Sequence, residues 1–544
     1  MEDQTQSKAT NSKISKTYYL LLFFSVFLYS LYTLGLLQHS LRLIAYPFTV
    51  DYVEWPEISR AVQLLDGRTM YSSWDEFPLR VANYPPLFTF VHAIGIWFTS
   101  PTPLIGRLIA LLSTMGIMIL IGSIVKNHIL VKGKWIVVPV LSGLLYASSH
   151  MTWLWSSIVR VDNIAILLSL GAIYLYTIPK EHVWNSKIAM ILCGLALFTK
   201  QTMWAAPLSI LIHTWISERE FLKERTIYFG STIISLYTLL MLLTGGLAYN
   251  HLIIANMNPF DWDMFFAFWR DFWILYHWTL PLIAVGMFVL RNSLVLLLYA
   301  CFAFIFSISI AKVGSSLNYV LELWSIVCIF IGAALSFPTK KTYSQNLLTP
   351  ISLVVVLLYG WQNMFHVPWE RQRIGTQKMR AMALGSWNDI ATYSTYIPFY
   401  ILNPYTTSPV DIIKRNVRLY TPTPAQWELD MMFDIDDYIQ KNMKQPILSE
   451  DMNFYHLSEN QDIMLQSFEM RQLSRQGIFD ENILHICLRS QPDCLPTLVL
   501  MFDVNSDNIN YVSKQRFGPQ TIQIIKESYM PEAQLGPYYI YVKR

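Results

Sequence analysis

The sequence predicts a multi-span α-helical membrane protein of about 11 transmembrane helices, with a small α/β domain at its C-terminus. Of its 544 residues, 53% are hydrophobic and only 14% are charged, whereas soluble proteins carry about 25% charged residues. Apolar stretches near or above the roughly 18 residues that a membrane-spanning helix needs recur along the chain. They lie at 17–38, 104–125, 134–149, 163–179, 187–200, 202–216, 226–244, 275–290, 293–311, 319–336 and 348–364.

The basic residues predict a cytoplasmic N-terminus. With that orientation, the Lys- and Arg-bearing loops at 126–134, 179–187, 217–225 and 339–342 all fall on the cytoplasmic face, in accordance with the positive-inside rule. An odd number of spans then places everything after residue 366 on the extracytoplasmic side of the cell membrane. The net charge of +3 is too small to indicate a nucleic-acid partner.

The composition changes near residue 367, and this change divides the chain. Residues 1–366 form the predicted transmembrane domain, and residues 367–424 form a polar linker with turn signals such as "NPYTTSP". Residues 425–544 alternate helix and strand patterns, as in a small α/β domain. The stretch "AQWELDMMFDIDDYIQKN" predicts a helix, and the stretches "QPILSED", "TLVLMFD" and "GPYYIYVKR" predict strands. Cys487 and Cys494 lie in this domain and can form a disulfide if it is extracytoplasmic.

Residues 39–103 form the longest predicted loop between spans, and Asp51 stands in it where the first span leaves the bilayer. The stretch "EISRAVQLLDG" places its apolar residues on one helical face, which predicts a helix lying in the membrane interface. The stretch "NYPPLFTFVHAIGIWF" has about 16 residues and is short for a span. We therefore expect an interfacial or re-entrant helix there, since a full span would reverse the side of every later segment.

Two cations stand at the ends of predicted membrane helices, Arg160 in "IVRVDN" and Lys200 in "LFTKQTMW". An ionisable group at such a place is costly unless it faces a polar cavity or a partner. A functional role is therefore expected for Lys200, with simple snorkelling to the interface as the alternative. A further polar cluster follows Lys312 and predicts either a cavity lining or a capped turn. Its members are Asn318, Tyr319 and Glu322.

A carboxylate and several cations at the outer lipid–water boundary suit the transfer of a sugar from a lipid-linked phosphate. Lys and Arg neutralise the charge that the departing phosphate takes up. A carboxylate deprotonates the incoming hydroxyl as a general base, which contributes about 10²–10⁴-fold to the rate. The phosphate is already a good leaving group, so no second carboxyl is needed as an acid. The alternative is that Asp51 and its neighbours are solvated loop acids.

Four motifs within residues 17–216 resemble those of the GT-C membrane glycosyltransferases, in the protein-mannosyltransferase-like branch that includes the lipid A aminoarabinose transferases. Asp51 follows the first span, and an "EISR" helix start comes six residues later. A "PPL" helix start lies at residues 85–87, and Asp162 precedes an apolar run in "RVDNIAILLSL". Lys200 closes the short helix "GLALFTK". Further along the chain the resemblance is one of topology.

The resemblance implies an enzyme that transfers a hexosyl or pentosyl group from a polyprenyl-phosphate donor to an extracytoplasmic glycan, lipid or protein, by inverting displacement. In the family, the first-loop Asp is the base and the helix-end Lys contacts the lipid phosphate, roles that the resemblance carries to Asp51 and Lys200. The further catalytic candidates are Glu54 and Asp162. The further phosphate-binding candidates are Arg160, Arg80, Lys312 and Tyr84. The candidates for binding the acceptor or lining the cavity are Asn318, Tyr319, Glu322 and Glu57.

The sequence departs from this family at two places. Tyr84 precedes the "PPL" where the aminoarabinose transferases have Lys, and Arg80 is the candidate substitute. Tyr52 follows Asp51 where the family often has a second acid, and Glu54 is the candidate substitute. These differences leave the position of the phosphate and of a second carboxylate open.

Two other functions stay open. A transporter or flippase of lipid-linked sugars needs no base and favours broken helices and internal repeats, but no clear repeat relates the two halves of the sequence. A non-catalytic lipid-binding scaffold is the second alternative. No cofactor is certain: Asp261 and Asp263 alone are a weak signal for a divalent metal, and that requirement is left open. Membrane lipid is an expected partner in each case.

Overall fold

The membrane part of the protein is a bundle of helices. The computed structural model describes residues 2–128, 136–178, 184–336, 350–360, 426–444, 446–450, 463–490, 493–506 and 515–544. Within these residues, five helices are long and apolar enough to span a membrane: Thr17–Ile44, Pro103–His128, Arg219–Leu243, Leu294–Ala311 and Leu317–Leu335. Shorter apolar helices of 10–17 residues complete the bundle.

The helices of the membrane part follow the apolar segments of the sequence. Each of the predicted spans contains a described helix, so the predicted fold class is confirmed. In chain order the helices are α1 (Glu2–Ile44), α2 (Glu54–Leu65), α3 (Leu87–Trp97), α4 (Pro103–His128), α5 (Val137–Tyr146), α6 (His150–Trp155), α7 (Asp162–Thr177), α8 (Trp184–Leu197), α9 (Ala205–Ser217), α10 (Leu222–Leu243), α11 (Leu247–Leu252), α12 (Trp262–Tyr276), α13 (Leu280–Val289), α14 (Leu294–Ser307), α15 (Leu321–Leu335) and α16 (Pro350–Gly360).

Helix α15 lies in the centre of the bundle. Every side chain from Leu321 to Leu335 is buried, and the helix packs against α4, α5, α13 and α14. Its approach to α13 is close, since a Cβ on Gly286 would overlap the carbonyl of Phe330. Small residues allow backbones to approach in this way in membrane bundles. The polar residues just before α15 are therefore held at the start of a central helix.

The first loop, between α1 and α4, begins and ends at the same face of the bundle. Helix α3 has 11 residues, which at 1.5 Å per residue gives about 17 Å, too short to cross a bilayer. Arg107, near the start of α4, donates to the carbonyls of Tyr46 (2.7 Å) and Phe48 (2.8 Å), which lie just after α1. Helix α1 therefore ends where α4 begins, in agreement with the expectation that residues 84–99 do not span. We call this end of the bundle the site face.

The C-terminal region is a small α/β unit with one sheet. It contains α17 (Gln426–Asn442), β1 (Ile447–Ser449), α18 (Ser467–Arg475), α19 (Asn482–Ser490), β2 (Thr497–Leu500), α20 (Pro519–Ser528), β3 (Tyr529–Leu535) and β4 (Tyr538–Lys543). The strand order is β1-β2-β4-β3, with β1 parallel to β2 and β4 antiparallel to both neighbours. Strands β1, β2 and β4 occupy predicted positions, whereas β3 lies where no strand is predicted. The predicted linker at 367–424 lies outside the described residues.

The C-terminal region packs directly on the first loop. Phe48 of the loop meets Phe433 of α17 with ring centroids 5.1 Å apart. Leu79 forms a parallel bridge with Leu465, and its amide and carbonyl bond to the backbone of Met464 (2.8 Å) and Gln466 (2.9 Å). The first loop therefore lies between the helix bundle and the C-terminal region, and the junction of the three is at the site face. Cys487 and Cys494, whose pairing the sequence left open, form a disulfide in this region.

Candidate active site

A buried carboxylate at the site face contacts residues from three parts of the chain. Asp162 is the first residue of α7 and is fully buried. Its Oδ1 accepts from Lys200 Nζ (2.6 Å) and from Asn318 Nδ2 (2.8 Å), and Arg160 Nε lies 3.4 Å from its Oδ2. The sequence-based candidates Asp162, Lys200, Arg160 and Asn318 are thus brought into direct contact.

Two phenol side chains complete this group. Arg160 Nη2 donates to the hydroxyl of Tyr84 at 3.0 Å, and Lys200 Nζ lies 4.3 Å from the ring centroid of Tyr319. A cation over an aromatic face is stabilised by about 0.5–2 kcal/mol. We call the six residues the Asp162 cluster: Asp162, Lys200, Arg160, Asn318, Tyr84 and Tyr319.

The break between α8 and α9 places Lys200 in the cluster. The amide of Lys200 still bonds to the carbonyl of Ala196 (2.9 Å), so its side chain leaves the last turn of α8 towards the bundle interior. Only 4% of that side chain is exposed. Snorkelling to the interface is therefore excluded, and the carboxylate of Asp162 offsets part of the cost of burying the ammonium group.

The cluster carries an excess of one positive charge. Lys200 and Arg160 contribute +2 and Asp162 contributes −1, which sums to +1. Arg160 retains 13% of its side-chain surface, so one cation of the cluster reaches the boundary with the first loop. A pre-organised positive group that is shielded from water binds a phosphate more strongly than the same group in solvent.

Asp51 lies in a tight turn next to this cluster. Its Oδ1 accepts from the amide of Val53 (3.1 Å), and its carbonyl accepts from the amide of Glu54 (3.1 Å). The side chain is half-buried, and Glu54 at the end of the same turn accepts from the amide of Val159, the residue before Arg160. Asp51 and the Asp162 cluster therefore share the site face.

Glu54 is separate from the cluster, and both of its carboxylate oxygens are hydrogen-bonded to other partners. Arg107 binds both of its carboxylate oxygens at 2.8 Å, and the amides of Val50 (2.7 Å) and Val159 (3.0 Å) donate to the same two oxygens. Both members of the ion pair are fully buried. The structure therefore corrects the expectation that Glu54 supplies a second catalytic carboxylate, because its oxygens are occupied in joining α1, α4 and the loop before α7.

Two more candidate acids also have structural partners. Glu57 pairs with Arg60 at 2.8 Å within α2. Glu322 lies buried in the first turn of α15, where Ser169 (2.5 Å) and Tyr299 (3.0 Å) donate to its Oε1. These hydrogen bonds of Glu322 join α7, α14 and α15 within the bundle.

Lys312 and Arg80 lie around the cluster without touching Asp162. Lys312 Nζ donates to the carbonyl of Asn256 (2.5 Å), whose amide group donates in turn to the carbonyl of Asn83 (3.1 Å). Lys312 is thus tied to the backbone beside Tyr84. Arg80 is buried in the first loop, and its carbonyl accepts from the Trp74 indole (3.0 Å).

His251 holds the first loop near Arg80. Its Nδ1 accepts from the amide of Ala82 (3.0 Å), and its Nε2 lies 2.7 Å from the carbonyl of Ser72. Burial lowers the pKa of His251 to about 4, and the nearby Arg60 and Arg80 act in the same direction. The imidazole is therefore neutral at pH 7 and serves to fix the loop.

The residue that the sequence reasoning missed is Arg107, the partner of Glu54. A signal for it exists in "SPTPLIGRLIALL", where one charged side chain stands near the start of an otherwise apolar span. Such a residue requires a buried partner. Its partner stands 53 residues away in the chain, so spacing alone does not identify it.

Among the described residues, no group of three or more His, Cys, Asp or Glu side chains is placed to hold a metal ion. Asp261 caps α12 by accepting from the amides of Asp263 and Met264.

A cavity of about 580 Å³ lies around Tyr176 and Arg225. Tyr176 is 14 residues along α7 from Asp162, about 21 Å away, so this cavity is at the opposite face.

The architecture is a helical membrane bundle whose first loop meets a small C-terminal α/β region at a charged site. The chain shares its fold with ArnT from Cupriavidus metallidurans. It superposes on the crystal structure bound to undecaprenyl phosphate with a TM-score of 0.56 and 13% identity, over 94% of this chain and 97% of that chain. The apo structure gives a TM-score of 0.55 and 14% identity, over 94% and 96%. No family model and no curated protein sequence matches the chain.

Proposed function

We propose that the protein is a membrane glycosyltransferase that moves a sugar from a polyprenyl-phosphate donor to an acceptor at the extracytoplasmic face. The observation that carries the proposal is the Asp162 cluster, in which Lys200 and Arg160 are buried beside one carboxylate with a net charge of +1. A fold shared with a protein that binds undecaprenyl phosphate supports the same class of donor.

Lys200, Arg160 and Tyr84 are the groups we assign to the donor phosphate. An ammonium, a guanidinium and a phenol hydroxyl all donate hydrogen bonds to phosphate oxygens. Negative charge grows on the phosphate as its bond to the sugar breaks, and donors that are already in place stabilise that charge without reorganising. Asp162 orients the two cations, so we assign it a positioning role in place of proton transfer.

Asp51 is the group we assign as general base. The acceptor oxygen or nitrogen attacks the anomeric carbon, the bond from that carbon to the phosphate oxygen breaks, and polyprenyl phosphate leaves with the electron pair. The acceptor's proton passes to Asp51. Its Oδ1 already accepts from Val53, so Oδ2 is the atom that takes the proton. One direct displacement inverts the configuration at the anomeric carbon.

The test uses purified full-length protein in lipid nanodiscs with polyprenyl-phosphate sugars labelled in the sugar. The panel includes hexosyl and pentosyl donors, and glycan, lipid and peptide acceptors. We expect release of polyprenyl phosphate with transfer of label for at least one pair. Asp51→Asn is expected to lower kcat by about 10²–10⁴-fold, while Lys200→Gln lowers donor affinity by about 10–100-fold, the worth of one charge-assisted hydrogen bond.

The matched control is Asp66→Asn, which changes an exposed acid of the same loop that pairs only at the surface with Arg68. Its turnover is expected to equal that of the wild type. An Asp51→Asn variant with full turnover would remove Asp51 from the mechanism. Movement of the intact donor across the bilayer, without cleavage of the phosphate bond, would replace the enzyme by a transporter.

A further inference from the structure

Tyr52, the residue directly after Asp51, is bound by the C-terminal region. Its hydroxyl donates to Oε2 of Glu469 at 3.0 Å, and the amide of Phe468 donates back to the same hydroxyl at 3.3 Å. Both partners lie in the first turn of α18. The phenol therefore bridges from the turn that carries Asp51 to one helix of the C-terminal region, across more than four hundred residues of sequence.

Arg516 holds the same ring from a second direction. Its guanidinium carbon lies 4.5 Å from the ring centroid of Tyr52, within the distance of a cation–π interaction. Arg516 is itself held by Glu450, which accepts at its carbonyl (2.8 Å) and places a carboxylate oxygen 3.5 Å from the same nitrogen. The ring is thus fixed by two segments of the C-terminal region that are distant in sequence.

The other end of the turn is fixed by the membrane helices. The Glu54 carboxylate accepts from the amide of Val50 (2.7 Å) and forms the buried ion pair with Arg107. Residues 50–54 are therefore held at Val50 and Glu54 by the bundle and at Tyr52 by the C-terminal region. Asp51 stands between these attachments, so its position depends on both.

We propose that Glu469 is a positioning residue, which acts through the Tyr52 hydroxyl to hold the Asp51 carboxylate where it meets the acceptor. The inference rests on the proposed function. A displacement of about 1 Å in a reacting group costs about 10²-fold in rate, and a hydrogen bond to a charged acceptor is stronger than one to a neutral acceptor. Tyr52 thus links the turn that carries Asp51 to a carboxylate of the C-terminal region.

The kinetic test compares Tyr52→Phe, Glu469→Ala and the double variant with the wild type. Tyr52→Phe keeps the ring over Arg516 and removes only the hydroxyl. We expect each single variant to lower kcat by about 10–100-fold with an unchanged KM for the donor, and the double variant to be no slower than either single variant. Glu469→Gln is expected to recover most of the turnover, because its amide oxygen still accepts from Tyr52.

The matched control is Glu481→Ala, which breaks the pair with Arg471 (2.7 Å) in the same region and leaves the turn untouched. We expect wild-type kcat for this control. A comparable loss of kcat in the control, or multiplication of the two single losses in the double variant, would overturn the positioning role.

Amide hydrogen exchange gives a readout that does not need turnover. Exchange of the amides in residues 50–54 is expected to rise in Tyr52→Phe and Glu469→Ala, and to stay at the wild-type rate in Glu481→Ala. Normal transfer in variants with raised exchange overturns this inference alone. If the wild-type protein cleaves no donor, the proposed function and the role of Asp51 as base are both overturned, whatever the amide exchange shows.

Discussion

Buried carboxylates of the membrane part differ in the partners that they bind. Asp162 meets two cations and an amide, and one of these cations is still in part exposed. Glu54 meets one fully buried Arg and two backbone amides, and Glu322 meets two hydroxyl groups. Only the first arrangement leaves positive charge in excess, which is why we assign the donor phosphate to it and not to the other two.

The Glu54–Arg107 pair gives a prediction about stability. Glu54→Gln leaves the guanidinium of Arg107 buried without a countercharge, and breaking a buried pair in this way costs about 3–5 kcal/mol. We expect a clear fall in the thermal denaturation midpoint of the purified protein. Asp66→Asn, which breaks the half-exposed pair with Arg68, is the control and is expected to cost about 1 kcal/mol or less. Equal midpoints for Glu54→Gln and the wild type would refute the structural role.

At the residue scale, the sequence identifies a site residue where a charged side chain lies at the end of an apolar helix. Lys200 and Arg160 are identified because an ionisable group at the end of an apolar helix needs a partner, and the structure provides that partner in Asp162. Glu54 was not assignable in this way, because acids in a loop are ordinary. Its partner comes from another helix, and the sequence contains no record of which helices are neighbours.

At the scale of elements, length and hydropathy predict the helices well and the strands less well. Strands β1, β2 and β4 have short apolar patterns bounded by turns, which are visible in the sequence. Strand β3, "YMPEAQL", contains Pro531 and polar side chains, and most of its residues are exposed. It is an edge strand that pairs only with β4, and such strands tolerate proline and need no apolar face.

Helix α17 contains a buried acid with a pH-dependent effect on stability. Burial raises the pKa of Asp436 from 3.8 to about 6, so the folded protein favours the protonated form. The contribution of the protonated Asp436 to the free energy of unfolding is complete below about pH 4 and is lost as the pH rises through 6. We expect Asp436→Asn to raise the free energy of unfolding at pH 7.5 by on the order of 1 kcal/mol, and with it the denaturation midpoint, and to have little effect at pH 4.

The control for this prediction is Asp437→Asn, at an exposed position of the same helix that pairs with Lys441. Its effect is expected to be small and to lack a transition near pH 6. Thermal unfolding of the full-length protein at pH 4, 6 and 7.5 makes the comparison. A gain for Asp436→Asn that is the same at all three pH values would contradict the role of Asp436 ionisation.

At the scale of the whole molecule, the two ends of the bundle differ in character. The site face holds the Asp162 cluster and the packed C-terminal region, whereas the opposite face has the cavity around Arg225 and Tyr176. In the sequence, only the placement of Lys and Arg in the loops predicts a difference between the two ends of the bundle. The packing of the C-terminal region on the first loop has no signal in the sequence, because it depends on contacts such as Phe48 with Phe433.

Labelling of single cysteines tests which face is extracytoplasmic. Glu76 in the first loop and Glu220 before α10 are both exposed and lie at opposite faces. In a Cys301→Ser background, since Cys301 is the exposed free cysteine of the described residues, we expect Glu76→Cys to react with a membrane-impermeant maleimide in intact cells. Glu220→Cys is expected to react only after permeabilisation, as the positive-inside rule requires. The reverse pattern would invert the predicted topology.

The long sequence separations within the Asp162 cluster have a consequence for how the protein is made. Lys200 follows Asp162 by 38 residues and Asn318 follows it by 156. At a synthesis rate of about 5–20 residues per second, Asp162 is made together with Arg160, but seconds before Lys200 and up to about half a minute before Asn318. A carboxylate that still lacks two of its three partners is costly in lipid, so we expect α7 to reach its final depth only after the later helices have been inserted.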